Sequence, residues 1–204
     1  MKRPLLFIAG FIAAAIAAGV QAQTTAKPLM LVASPELQGG YSRTTLIAVP
    51  VGDSHLGFIV NRATDVTLGQ LFPQHAASAK VVDPVHIGGP EMKDVLFAVV
   101  RRNPGADAVP LFGGLYLVAS EEAVDRVIEK SPGDARFFAG YVGWQPGELE
   151  KEIEAGYWFV TDADSAVFFR PDTTGLWEEL VKRLSNGPTP QRGRGFLSAS
   201  LANR

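Results

Sequence analysis

The sequence predicts a single α+β domain on a mixed or antiparallel sheet. Two observations lead there. Strand-like runs come in adjacent groups between isolated helices, which argues against a doubly wound parallel sheet. The chain has 204 residues, 47% of them hydrophobic and 20% charged, enough for one sizeable core and short for two independent domains.

The elements follow in order. "PLMLVAS" (28–34) and "TTLIAVPV" (44–51) read as strands, separated by a turn at Gly39-Gly40. "LGFIVN" (56–61) is a third strand, entered through Gly52-Asp53 and left through Asn61. "TLGQLF" (67–72) is a short helix ended by Pro73. "PVHIGG", "DVLFAVVRR" and "GLYLVAS" are further strands. In "SEEAVDRVIEK", Ser120 is placed to cap a helix and Glu121 and Glu122 suit its first turn, while Ala123, Val124, Val127 and Ile128 recur at helical spacing. "ARFFAGYVGW" is a strand that leads into the acidic helix "QPGELEKEIEAG", with Pro146 near its start and Gly156 just past its end. "YWFVT" is the next strand. "TGLWEELVKRLS" closes the domain, with Leu176, Trp177, Leu180, Val181 and Leu184 on one face.

The two ends have a different character. Lys2 and Arg3 precede the Ala-rich apolar run Leu5 to Val20, and Val20-Gln21-Ala22 offers the small residues a signal peptidase accepts. Residues 1–22 therefore read as a secretory signal cleaved after Ala22, which predicts a periplasmic mature chain beginning at Gln23; the competing reading is an uncleaved membrane anchor. Loss of two bases and no acids takes the formal charge from −2 to −4. Residues 23–186 form the expected domain. Residues 187–204 are rich in Pro, Gly and Ser and contain no acid, and are expected to be a flexible basic tail dispensable for folding.

Composition excludes several chemistries. The absence of cysteine removes disulfides, a thiol nucleophile, thiolate zinc sites and an N-terminal lipoprotein anchor. A charge this near zero creates no global field for nucleic acid. There is no G-x-S-x-G elbow, no H-E-x-x-H and no phosphate loop. His55, His75 and His86 lie far apart without metal-ligand spacing, so neither a metal nor a cofactor is expected.

Four places remain as candidates, each with a structural reading beside the functional one. The Gly88-Gly89 pair in "HIGGPE" is either a tight turn or an anion cradle. Asn61 suits a turn, and Arg62 either binds an acidic ligand or pairs with a structural carboxylate. His86 is a core or edge histidine, or a ligand contact. Tyr141 and Trp144, in the aromatic-glycine strand, either pack or stack on a ligand. Because they fall on opposite parities, one ring is expected in the core and another in a cleft near Asn61 and the Gly88-Gly89 turn.

"LMLVASPEL", "LGFIVNRAT", "VHIGGPEM", "RFFAGYVGWQPGELEKEI" and "GYWFVTDADSAVF…LWEELVKRL" together resemble the YqgE/AlgH family, over about Leu29 to Leu184. The resemblance implies a compact single-domain α+β fold. It also brings a label of transcriptional regulators, linked in one lineage to alginate synthesis, without a molecular activity or catalytic set. The signature positions it carries over are Ser34, Pro35, Asn61, Arg62, Gly88, Gly89, Pro90, Gly140, Tyr141, Gly143, Trp144 and Pro146. This chain departs from the pattern in its signal-like start, in a short segment between "TLIAVP" and "LGFIVN", and in its basic tail. An exported protein cannot regulate transcription by touching DNA.

The resulting expectation is a non-enzymatic periplasmic protein that binds an unknown protein or small ligand, with Asn61, Arg62, His86, Gly88, Gly89, Tyr141 and Trp144 as candidate contacts. No nucleic acid is expected as a partner, and no membrane span after cleavage. The alternatives are a cytoplasmic regulator, and an enzyme using Arg62, His86, Glu91 and Tyr141.

Overall fold

The computed structural model describes residues 27–186, so the signal segment and the tail lie outside the described residues. The strands are β1 (Leu29–Ala33), β2 (Thr45–Val51), β3 (Ser54–Ile59), β4 (Ala63–Thr67), β5 (Pro84–Ile87), β6 (Glu91–Val100), β7 (Val109–Pro110), β8 (Tyr116–Val118), β9 (Ala135–Trp144) and β10 (Trp158–Asp162). The α-helices are α1 (Leu68–Leu71), α2 (Glu121–Lys130), α3 (Glu148–Glu154) and α4 (Leu176–Ser185). The sheet runs β10-β1-β2-β3-β9-β6-β8-β7, with β5 on β9 and β4 on β5. Its pairs are antiparallel except β5 with β9, so the sheet is mixed and the fold is α+β.

Strand alternation sorts the apolar side chains onto two faces. Met30, Val32, Ile47, Val49, Phe58, Phe97, Val99 and Phe138 share one face with Leu176 and Leu180 of α4 and with Phe168. The opposite face is divided. Ala98, Val100, Ala135 and Phe137 pack under α2, through the four residues whose spacing predicted that helix. Leu31, Leu46, Ala48, Val142 and Trp144 pack with Leu149 of α3. Each Val, Leu or Ile side chain so buried contributes about 1.5–3 kcal/mol relative to exposure.

Two strands were not legible. β4 carries Asp65 and little apolar pattern, and it is a strand because β5 supplies its ladder. β7 is two residues long at the sheet edge, where Pro110 is tolerated. β6 also starts at Glu91, earlier than its apolar run suggests, because Glu91 pairs with Tyr141 ahead of an irregularity in register. Ser120 does precede α2, but its carbonyl rather than its hydroxyl meets the helix, accepting from the Ala123 and Val124 N–H groups.

Candidate functional site

The centre of the fold is β9. Phe138 is opposite His86 of β5 on one edge and Phe97 of β6 on the other. The segment Gly88–Pro90, which joins β5 to β6, must therefore cross β9 from edge to edge. It does so over Gly140 and Tyr141. A Cβ on Gly88 would lie 2.2 Å from the Gly140 carbonyl oxygen, and one on Gly89 would lie 2.2 Å from that of Tyr141. Gly88 is also tied down, its N–H donating to the Ala139 carbonyl and its carbonyl accepting from the Ile59 N–H, both at 2.8 Å. The glycine pair is thus a backbone crossing, and the Gly88 N–H is already engaged.

Gly140 has φ +71 and shifts the parity of β9. Phe138 and Tyr141, three residues apart, consequently face the same side, with Tyr141 edge-on to Phe97 at 5.6 Å between ring centroids. Trp144 lies on the other side, buried with Leu149 and Trp158. Its indole N–H donates to Glu152 Oε2 at 2.9 Å, and that of Trp158 donates to the same oxygen at 2.8 Å. Tyr141 is half-buried, and burial, assisted by the Glu91 charge, pushes its hydroxyl above the ordinary tyrosine value.

Asn61 joins the ends of two strands. Its Oδ1 accepts from the Thr45 N–H at 2.8 Å and its Nδ2 donates to the Arg43 carbonyl at 2.9 Å. Arg62 donates from Nη2 to the Ser42 carbonyl at 3.4 Å, and its own carbonyl accepts from the Ile87 N–H at 2.9 Å. Burial lowers the Arg62 pKa, partly offset by Tyr41.

His86 is 1% exposed. Its Nδ1 donates to the Pro84 carbonyl at 3.1 Å, which leaves Nε2 to accept from Arg136 Nη1 at 3.1 Å. Burial first, then the Arg136 charge, lowers its pKa to about 4, against smaller opposing effects of the Pro84 carbonyl and Asp83. The ring is therefore neutral near pH 7, with both nitrogens engaged. Of the four residues in the enzyme alternative, Glu91 pairs with Tyr141 and the Ala63 next to Arg62 pairs with His86, but His86 offers no free base.

Arg136 was not among the sequence candidates. It is 7% exposed, on the same face as His86 and Phe138. An arginine at the start of an apolar strand, in phase with a core phenylalanine, was the available signal. Among the described residues, no group of three or more His, Cys, Asp or Glu side chains could hold a metal ion, and no helix is long and apolar enough to cross a membrane.

A curled mixed sheet crossed at its centre by a glycine pair defines an α+β class, and comparison places the chain within it. Residues 30–189 match the AlgH-like family model, and the chain belongs to that family. It is 30% identical to a UPF0301 protein of Chlorobium phaeobacteroides over 159 residues, 76% of this chain and 83% of that one. It is 31% identical to a UPF0301 protein of Streptomyces avermitilis over 166 residues, 77% and 86% of the two chains. The solution structure of the AlgH protein from Pseudomonas aeruginosa superposes with a TM-score of 0.65 at 23% identity, over 82% of this chain and 93% of that chain. A crystal structure from Corynebacterium diphtheriae gives 0.61 at 23% identity, over 86% and 93%. At these identities the two structures speak for the fold.

Proposed function

We propose that this AlgH-like chain is an exported, non-enzymatic binding protein whose partner is another protein, docking on the β4–α1–β5 edge. The observation that carries the reading is a concentration of exposed apolar side chains. Val66, Leu71, Phe72, Val82 and Ile87 are the large hydrophobics that stand exposed among the described residues, and all five fall between residues 66 and 87. Val82 is 82% exposed. Scattered exposed apolar residues are ordinary, but a set confined to one structural unit marks a contact surface. β4 pairs only with β5, so the same unit presents an edge strand. The unit is tied to the sheet through the Arg62 carbonyl, which accepts from the Ile87 N–H, and through His86 to Arg136 of β9. Export rests on the signal-like residues 1–22.

Two measurements test the reading. Mass analysis of the protein from fractionated cells should find a periplasmic chain starting at Gln23; an intact cytosolic chain returns the regulator reading. Cross-linking in cells should give a defined protein adduct that the double variant Leu71→Asp, Phe72→Asp loses while keeping its fold. An unchanged adduct pattern in that variant would sink the docking surface.

A further inference from the structure

Arg136 is the buried cationic residue of the described chain apart from histidine. A guanidinium keeps its charge at any pH a protein survives, so burying it is strongly unfavourable without a counter-charge. Yet no carboxylate lies within ion-pair distance of it among the described residues. Its Nη1 meets a neutral acceptor, His86 Nε2, and its Nε has no hydrogen-bond partner.

A second cation stands beside it. Val99 is opposite Arg136, and the Arg101 N–H continues the ladder by donating to the Asp134 carbonyl at 3.0 Å. Arg101 and Arg136 are therefore diagonal neighbours on one face of the sheet, and their like charges oppose each other, though less strongly than the Asp83 charge attracts Arg136. The Arg101 guanidinium lies 4.1 Å over the Phe169 ring and likewise has no carboxylate at ion-pair distance. It lines an open depression of about 620 Å³, together with Gly113, Ser165, Phe169, Arg170 and Asp164. Arg170 is already engaged with Glu179 and the Asp172 carbonyl, both at 2.9 Å. Asp164 is turned to its own helix end, Oδ1 accepting from the Ala166 N–H at 2.9 Å. Two arginines without a carboxylate at ion-pair distance thus stand on neighbouring strands at one end of the sheet, Arg101 in the wall of the depression and Arg136 one diagonal position away.

We propose that this depression binds the oxyanion of a small ligand, a carboxylate or a phosphate, with Arg101 in contact and Arg136 supplying the second charge. Arginine suits either anion because its planar fork can donate two parallel hydrogen bonds. His86, held by Pro84, fixes one arm of Arg136 without neutralising it. Exposed Asp83, whose charge reaches Arg136 without contact, is the internal competitor.

The test is thermal melting of the processed chain as purified from cells, titrated with sodium phosphate or sodium acetate against sodium chloride at equal ionic strength. A saturable rise of about 5 °C or more at a hundredfold excess over Kd supports the site, and the anion with the lower Kd names the ligand class. Arg101→Ala, at an exposed position, should keep its fold in chloride, melting within about 4 °C of the parent after losing its contact over Phe169, and should bind about tenfold more weakly. Asp83→Asn should bind more tightly. Three results would overturn the proposal: no saturable rise with either anion, an undiminished rise in Arg101→Ala, or an Asp83→Asn protein that is destabilised and that neither anion rescues. Should Arg136→Met fail to fold, the Arg101 variant still decides.

Discussion

Arg136 Nη1 donates to His86 Nε2 across 3.1 Å, so the fold holds a neutral imidazole against a buried cation. Protonating His86 would remove the acceptor and place two positive charges together. The unfolded chain faces no such conflict, so its histidine takes up a proton near the ordinary value of 6.5.

Between about pH 6.5 and 4, then, the unfolded state binds a proton that the native state does not. The stability from keeping His86 neutral is fully present above 6.5, is lost as pH falls through this window, and amounts to on the order of 3 kcal/mol. Urea titrations at several pH values should show the slope, and His86→Gln should flatten it relative to the parent. Parallel curves for the two proteins would remove His86 as the cause.

The crossing over β9 should tolerate no side chain. Gly88→Ala would bring its Cβ to 2.2 Å from the Gly140 carbonyl oxygen and Gly89→Ala to the same distance from that of Tyr141, and backbone on both sides prevents relief. Each should cost about 3 kcal/mol or more. Gly40→Ala, whose Cβ would meet nothing within 4 Å, is the control and should change stability by no more than about 0.5 kcal/mol. Denaturant midpoints compare them directly.

Glu152 holds two indoles. Glu152→Ala would leave the Trp144 and Trp158 N–H groups without their acceptor and should cost about 2–4 kcal/mol. Glu152→Gln keeps one acceptor oxygen and should recover part of that loss. Tryptophan fluorescence during unfolding reads both, since the two rings report on this site.

Phe138 is fully buried against Phe58, Phe168 and His86, and Phe138→Ala should cost about 3–5 kcal/mol. Tyr141→Ala, at a half-buried position on the same face, should cost less. Equal losses in calorimetry would show that Tyr141 is as much core as Phe138.

Among the described residues, the α+β class, eight of the ten strands, the four helices and the apolar faces of α2, α3 and α4 were legible in the sequence alone. These readings rest on local patterns: apolar runs bounded by turn residues in β1 and β2, the aromatic-glycine run of β9, the Ala123-Val124-Val127-Ile128 spacing of α2, and Pro146 and Gly156 around α3. Local chemistry also carried the family resemblance. Tertiary structure alone decided which candidates meet. β4 exists through its pairing with β5, and no pattern in "ATDVT" could announce that. Opposite parity did separate Tyr141 from Trp144, but only the positive φ of Gly140 returned Tyr141 to the side of Phe138. Arg136 and His86 are fifty residues apart in the chain, and they touch because β5 lies parallel to β9. The backbone at one glycine turned Tyr141, and the register of one parallel pair gave the buried charge its histidine partner, both through non-local contacts.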